Sequence, residues 1–168
     1  AQADGLIAER FGTLLAAAGR DELGAWESGP RRRLALILLL DQFTRNVYRG
    51  TARAFAQDDK ALSLAVSGMQ LGADAALDPL ERMFFYMPLM HAESLQIQEE
   101  SVAAFRRLLD EAPEELRAYF EGSLHYAQQH RDLIERFGRF PHRNALVGRA
   151  STEAESEWLT GGGERFGQ

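Results

Sequence analysis

Residues 30–46 of the chain read PRRRLALILLLDQFTRN and enclose the apolar run LALILLL at 34–40. The residues ahead of the run, Ser28-Gly29-Pro30, supply a helix cap and a proline suited to a first helical turn. A helix with apolar side chains on every face is buried on every face. The stretch therefore predicts an interior helix over residues 30–46, against which the rest of the chain packs.

Helix caps and apolar residues at helical spacing predict the other helices. The clearest start is Asp78-Pro79-Leu80-Glu81, which combines an N-cap, a first-turn proline and a third-position glutamate. Pro88 is expected to kink or end that helix because proline has no N–H group. The remaining predicted helices cover residues 4–18, 58–71, 94–112, 113–137 and a short segment from Thr152 to just before Gly161, with a break at 47–51 and a loop at 138–149.

No segment alternates polar and apolar residues as a strand does, so the sequence predicts an all-α fold of about seven helices. Short links between helices favour antiparallel hairpins. Residues 101–113 match the second helix of a tetratricopeptide repeat, but no second clean copy follows. We therefore expect a single domain over residues 1–168, built from tetratricopeptide-like hairpins with irregular repeats and ending in a flexible tail at 161–168.

The composition excludes several classes of protein. The 168 residues include 45% hydrophobic and 26% charged side chains and no cysteine, which is typical of one globular domain without disulfides, thiol nucleophiles or Cys-based metal sites. The net charge of −6 disfavours binding to the phosphate backbone of nucleic acids. The apolar run is far shorter than the roughly 20 residues that cross a bilayer, so we expect no membrane span and a cytoplasmic location.

Residues 41–53 form the first of three polar clusters. They read DQFTRNVYRGTAR, a high density of polar side chains directly after the apolar run. One interpretation is structural, because a buried helix end needs hydrogen-bond partners and these side chains can tie down the following loop. The other is an anion pocket in which arginines present planar N–H forks to a carboxylate or phosphate. Its candidate residues are Asp41, Arg45, Asn46, Arg49 and Arg53.

The second cluster is residues 87–93, MPLMHAE, in which His91 and Glu93 follow Pro88. A His-x-Glu pair beside a proline break can ligate a metal or hold an imidazole in one tautomer. A histidine near a kink can equally be a core residue that donates to a backbone carbonyl. The chain has no recognised spacing of a third and fourth ligand, so we predict neither a metal nor a cofactor.

The third cluster spans His125 to Arg149, and within residues 130–149 five arginines stand against two acidic residues. Aromatic residues between the arginines resemble single-strand nucleic-acid binders, but no wider basic face accompanies them. The segment is either a loop held by its aromatic side chains or a loop that folds over Arg45 and Arg49 and completes a pocket. Its candidate residues are His130, Asp132, Arg139, His142, Arg143 and Asn144.

Together the three clusters resemble the bacterial domain of unknown function 924 family. The resemblance spans residues 5–160 and is carried by DQFTRN at 41–46, YRGT at 48–51, AFA at 54–56, PLMHAE at 88–93, and HRD through RFGRFPHRN at 130–144. Thr44 stands where the family more often has proline. The resemblance implies an all-α fold of tetratricopeptide-like hairpins and further family sequence before Ala1. It brings no established activity, so it assigns no catalytic residue.

Three kinds of function remain open. The leading hypothesis is a helical binding module that holds a small anionic ligand or an acidic peptide between arginines of the first and third clusters. The rival is a hydrolase-like enzyme in which His91, His130 or His142 acts as a general base, oriented by Glu93 or Asp132. The third is a structural or oligomerising domain, which leaves a homo-oligomer open.

Overall fold

The structure is a computed structural model that describes the backbone of residues 2–166 and the side chains of residues 3–166. Its α-helices are α1 (Gln2–Gly19), α2 (Pro30–Ile37), α3 (Thr44–Val47), α4 (Asp58–Gln70), α5 (Pro79–Met90), α6 (Leu95–Asp110), α7 (Glu114–Phe137) and α8 (Glu153–Thr160). Tighter 3-10 turns cover Gly24–Ser28, Ala52–Phe55, Asp74–Ala76 and Pro141–Arg143, and a wider π-helical turn covers Leu38–Phe43. Residues 2–166 contain no β-strand, so the predicted all-α fold is confirmed. None of their helices combines the length and the apolar character that a bilayer crossing requires.

The predicted interior helix forms as one helical segment that runs from α2 through the π-helical turn into α3. The segment begins at Pro30, which lies in its first turn as predicted. Leu36, Ile37 and Leu40 are buried. A π-helical turn closes its hydrogen bonds over five residues instead of four, and so rotates the side chains that follow. Asp41 lies inside this turn and is fully buried.

Helices α5, α6 and α7 follow one another through short links, pack side by side and form two antiparallel hairpins. Their facing sides supply the centre of the main core, which includes the fully buried rings of Phe85, Tyr86, Phe105 and Phe120. The hairpins agree with the predicted helical class. Their likeness to tetratricopeptide repeats stays a prediction.

The C-terminal end of α5 forms one side of the candidate site. The helix continues through Pro88 and ends two residues later at Met90. Ser94, the residue before α6, makes no capping hydrogen bond with its side chain. Instead, the buried amide of Gln98 donates to the carbonyl oxygens of Met90 at 2.7 Å and Ala92 at 2.8 Å. This contact holds the link between α5 and α6 against the second helix.

The segment after α7 packs against the C-terminal half of that helix. Gly138 ends α7 with a φ of 70°, a left-handed conformation that glycine adopts without strain. A second, smaller apolar cluster follows from Leu133, Ile134 and Phe140, with Phe137, Trp158 and Phe166 packed around them. Of the predicted tail at 161–168, the structure describes residues 161–166, and residues 167 and 168 lie outside the described part of the chain.

Candidate functional site

Asp41 and His91 form a buried acid–imidazole pair at the centre of the candidate site. Nδ1 of His91, at the C-terminal end of α5, lies 2.6 Å from Oδ1 of Asp41. The other carboxylate oxygen accepts a hydrogen bond of 2.6 Å from the amide of Gln42. Burial alone would raise the pKa of Asp41, but His91 and Arg45 outweigh it and hold that pKa well below its usual range. Asp41 is therefore a carboxylate at neutral pH.

His91 is a neutral imidazole held in one tautomer. Burial lowers its pKa and Arg45 lowers it further, whereas Asp41 acts in the opposite direction. The neutral ring donates its Nδ1–H to Asp41, which leaves Nε2 as an acceptor. Nε2 has no hydrogen-bond partner among the described residues, and the ring lines a cavity. A group in that cavity can therefore donate a hydrogen bond or a proton to His91.

Asp58, the first residue of α4, joins two arginines from distant parts of the chain. Arg45 binds it through two parallel hydrogen bonds, from Nη1 to Oδ1 and from Nη2 to Oδ2, both of 2.8 Å. Arg143, 85 positions further along, donates from Nη1 to Oδ2 at 3.2 Å. Bidentate pairing fixes the plane of a guanidinium as well as its position. Asp58 thus holds two guanidinium groups side by side.

Arg143 is stacked between two aromatic rings. Its guanidinium carbon lies 4.6 Å from the ring centroid of Phe55 and 4.5 Å from that of Phe140. Nη2 donates to the carbonyl oxygen of His91 at 3.0 Å. Burial lowers the pKa of Arg143 to about 10, so the side chain remains a cation at neutral pH. Its buried Nε has no hydrogen-bond partner within residues 3–166.

Two further histidines of the site are neutral rings. Burial lowers the pKa of His130 to about 3, and burial together with Arg143 lowers the pKa of His142 to about 4. Nδ1 of His130 donates to the carbonyl oxygen of Tyr126 at 2.8 Å, which leaves Nε2 as an acceptor. Nδ1 of His142 is buried without a hydrogen-bond partner in the described part of the chain. Because an unpaired buried polar atom costs free energy, a ligand that pairs with it gains affinity.

The larger cavity of the site has a volume of about 430 Å³. It is lined by Gln42, Arg45, Asn46, Arg49, Phe55, Met87, Met90, His91, Tyr126, His130, His142, Arg143, Glu164 and Phe166. A smaller cavity of about 340 Å³ shares Phe55, His91 and Arg143 with it, so these three residues separate the two. Across residues 3–166, no group of three or more histidine and acidic side chains is arranged to hold a metal ion.

The structure brings most of the predicted site residues together. Those that line the larger cavity are Arg45, Asn46, Arg49, His91, His130, His142 and Arg143. Asp41 lies directly behind His91. Glu93 lines the smaller cavity, where its carboxylate accepts hydrogen bonds from the backbone N–H of Phe140 at 2.8 Å and from Arg149 at 2.6 Å. Glu93 therefore anchors the loop after α7 to the end of α5.

Two predicted residues lie on the outer surface. Arg53 is exposed and stacks on the ring of Tyr48, with the guanidinium carbon 3.8 Å from the ring centroid. Asp132 is exposed on α7 and pairs with the neighbouring Arg131 at 2.9 Å. Neither residue lines either of these cavities.

Arg139 and Asn144 are engaged by a buried acid of α8. The carboxylate of Glu155 accepts two hydrogen bonds from Arg139, at 2.7 and 2.8 Å, and one from Asn144 at 3.2 Å. Arg139 and the other donors lower the pKa of Glu155 to about 2. These contacts fasten the loop after α7 to α8, and they take Arg139 and Asn144 away from both cavities.

Sequence analysis does not single out Asp58 or the acid that orients His91. Asp58 is predicted only as part of a helix start, where an acidic residue is already explained by the helix dipole. Glu93 and Asp132 are the expected orienting acids, but within the described residues Asp41 is the one that contacts His91. The available signal for Asp41 is its position, since it is the first charged residue after a seven-residue apolar run.

Comparison with known proteins identifies relatives without a known activity. The model of the family described as bacterial protein of unknown function (DUF924) matches residues 1–163. The solved structure of a protein of unknown function, ATU0120 from Agrobacterium tumefaciens, is similar with a TM-score of 0.82 and 40% sequence identity, over 93% of this chain and 82% of that chain. A search of the curated proteins finds no match. Because the family model covers nearly the whole chain, the protein belongs to the DUF924 family of bacterial proteins of unknown function, as its three polar clusters predict.

Proposed function

We propose that the protein binds a small anionic ligand in the larger cavity. The observation that carries this proposal is the lining of one cavity by three guanidinium groups, those of Arg45, Arg49 and Arg143. Guanidinium groups pair with carboxylates and phosphates through parallel hydrogen bonds. Among the described lining residues, Glu164 is the one with an acidic side chain. The lining therefore favours a guest with negative charge.

The two buried arginines are held in place by carboxylates. Asp41 and Asp58 balance the charges of Arg45 and Arg143, which lets both guanidinium groups stay buried before a ligand binds. Donors that are already fixed lose little conformational freedom when a ligand arrives, which favours affinity. The unpartnered Nε of Arg143 is one such donor.

Arg49 stands at the rim of the cavity. Its side chain is 44% exposed, and Nη2 lies 3.5 Å from Oδ1 of Asp4. Because the guanidinium of Arg49 is partly exposed, an entering anion can compete with Asp4 for its N–H groups. We expect Arg49 to be the first cation that an entering anion meets.

The size and polarity of the cavity narrow the choice of ligand. A volume of about 430 Å³ lies in the range of small-molecule sites and favours a small ligand over an acidic peptide. Three neutral imidazoles, those of His91, His130 and His142, line the same space. Because a neutral imidazole nitrogen can accept a hydrogen bond, a ligand with a hydroxyl or amino group beside its acid group fits the lining.

Isothermal titration with a panel of small carboxylates and phosphates tests the proposal. We expect saturable binding by the wild type and about tenfold weaker binding by Arg49→Gln, a difference of roughly 1.4 kcal/mol. Arg53→Gln is the matched control, because Arg53 is an exposed arginine of the same segment that does not line the cavity. No binding across the panel, or an equal loss in both variants, overturns the proposal.

The Asp41–His91 pair favours a second candidate function, hydrolysis of a bound anionic substrate. We propose that Nε2 of His91 takes a proton from a water molecule, whose oxygen attacks the carbonyl or phosphoryl group of an ester substrate. The ester bond to the leaving oxygen then breaks, and the imidazolium of His91 returns the proton to that oxygen. Asp41 holds the imidazole in the required tautomer and stabilises the imidazolium that forms. The 2.6 Å contact between the two residues is the observation that favours this function.

An activity panel of carboxylate and phosphate esters tests the second candidate. We expect His91→Gln to lower kcat by on the order of a hundredfold or more, as loss of a general base does. His125→Gln is the matched control, because His125 is an exposed histidine outside the larger cavity. If a folded His91→Gln variant keeps the wild-type rate on a substrate that the protein cleaves, His91 is not the base.

A further inference from the structure

The ring of Phe166 lines the larger cavity and fills an aromatic slot in its wall. It stacks on His130 with the ring centroids 3.7 Å apart and the planes inclined by 29°. Phe140 and His142 approach it edge-on, with centroid distances of 6.4 and 5.6 Å. Three rings of the protein therefore surround a fourth ring that belongs to the segment after α8.

The segment that carries Phe166 is tied to α8 by a hydrogen bond of 3.0 Å from the backbone N–H of Gly163 to the carbonyl oxygen of Trp158, three residues before the ring. In the described part of that segment, the backbone N–H groups of Arg165 and Phe166 donate to the side chain of Glu164 rather than to the helices. Phe166 has a φ of 50°, a left-handed conformation that costs free energy for a bulky residue. Among the described residues, another ring that enters the slot can therefore replace Phe166 without breaking a hydrogen bond from its backbone N–H to the helices.

We propose that this slot is the subsite for a planar ring of the ligand, and that Phe166 fills it until the ligand displaces it. This inference rests on the proposed binding of an anion in the same cavity. Phe140 connects the two parts, because its ring faces the slot and also lies 4.5 Å from the guanidinium carbon of Arg143. Phe166 lines the same cavity as the guanidinium groups of Arg45 and Arg143, so a ligand with an acid group attached directly to an aromatic ring can place its ring in the slot and its acid group in the cavity. The ligand class is an aromatic carboxylate.

His142 narrows this class further. Its buried Nδ1 has no hydrogen-bond partner within residues 3–166, and the hydrocarbon ring of Phe166 beside it cannot supply one. A hydroxyl group on the ligand ring can donate to Nδ1 or accept from it. Because pairing of a buried polar atom removes an energetic penalty, a hydroxylated aromatic carboxylate binds more tightly than the unsubstituted one.

Calorimetric titration of the wild type and Phe166→Ala with acetate, cyclohexanecarboxylate, benzoate and 4-hydroxybenzoate tests the inference. If Phe166 fills the slot about nine-tenths of the time, its removal strengthens benzoate binding about tenfold. Acetate has no ring, so its affinity is expected to be the same in both proteins. Arg165→Lys is the matched control, because it changes an exposed residue of the same segment but keeps the positive charge that acts on His142, and its affinities are expected to equal those of the wild type.

The outcomes separate the ring subsite from the anion site. Tighter binding by Phe166→Ala of benzoate and 4-hydroxybenzoate, but not of acetate or cyclohexanecarboxylate, supports the slot. Equal benzoate affinity in both proteins, or cyclohexanecarboxylate bound as tightly as benzoate, overturns the ring subsite and leaves the anion site standing. If 4-hydroxybenzoate binds no more tightly than benzoate, the role of His142 is overturned. If neither protein binds any of these carboxylates or any phosphate, the anion site itself is wrong.

Discussion

Asp58 pairs with two nearly buried arginines through a single side chain. Its carboxylate contacts the guanidinium groups of Arg45 and Arg143, whose side chains are only 11% and 9% exposed. Removal of one partner from a buried ion pair leaves an uncompensated charge and costs about 3–5 kcal/mol. We therefore expect Asp58→Asn to lower the free energy of unfolding by that amount, measured by urea denaturation.

Asp59→Asn is the control for this measurement. Asp59 is the next residue of α4 and is exposed, so its replacement should change the free energy of unfolding by less than about 1 kcal/mol. If the two variants are equally stable, Arg45 and Arg143 do not depend on the carboxylate of Asp58.

Individual site residues differ in how well their sequence context predicts them. Arg45 and His91 are predictable, because polar residues beside an apolar run or a proline break are unusual enough to require an explanation. Asp58 is not predictable as a site residue, because the helix dipole already explains an acidic residue in the first turn of a helix. Arg53 is predicted with the cluster 41–53 but lies on the surface, because a short sequence stretch does not report the direction of each side chain.

Among the helices, α4 and α5 approach each other so closely that Gly68 has no room for a side chain. A Cβ atom at this position would lie 2.6 Å from Cζ of Phe85 and 2.8 Å from Cδ of Arg33. Both neighbours are buried and cannot move away without disturbing the core. We expect Gly68→Ala to lower the free energy of unfolding by about 1–3 kcal/mol, although alanine favours a helix more than glycine does.

Gly122 in α7, unlike Gly68, has room for a side chain, so Gly122→Ala serves as the comparison. A Cβ atom there would meet nothing within 4 Å, so only the helix propensity changes, and the variant should be about 0.5–1 kcal/mol more stable than the wild type. Urea denaturation of the two variants should therefore give changes of opposite sign. A destabilised Gly122→Ala together with an unchanged Gly68→Ala would contradict the packing of α4 against α5.

Helix boundaries are the part of the fold that the sequence predicts best. The predicted helix 113–137 is found as Glu114–Phe137, because Pro113 and Gly138 act as local start and stop signals. The π-helical turn Leu38–Phe43 is not predicted. An uninterrupted apolar run has no period, so it cannot reveal that one turn of the helix holds an extra residue.

For the whole molecule, buried neutral histidines make stability depend on pH. The pKa of His130 falls from its ordinary value of 6.5 to about 3 in the folded protein because the ring is buried. Below pH 6.5 the unfolded chain therefore takes up a proton that the folded protein does not. The contribution of His130 to the free energy of unfolding is fully present above this pH and is lost as the pH falls. For His130 alone, the loss between pH 7 and pH 5 is about 2 kcal/mol. His142 acts in the same direction.

Urea denaturation at pH 7 and at pH 5 tests this dependence. We expect the wild type to lose stability on acidification and His130→Gln to lose about 2 kcal/mol less, since glutamine does not titrate. His125→Gln, in which an exposed histidine of the same helix is replaced, should lose as much as the wild type. An equal acid loss in the wild type and His130→Gln would mean that burial of this ring does not govern the pH dependence.

The amino-acid sequence by itself determined the helices, because caps, prolines, glycines and apolar spacing act between residues a few positions apart. It also supplied the residue types of the site. Only the tertiary structure decided which charges pair: Arg143 binds Asp58, 85 positions away, while Arg139, in the same loop, binds Glu155. The reason is that hydrogen bonds and ion pairs form only within about 3–4 Å. Which of several equivalent arginines comes that close to a given carboxylate depends on how the helices pack.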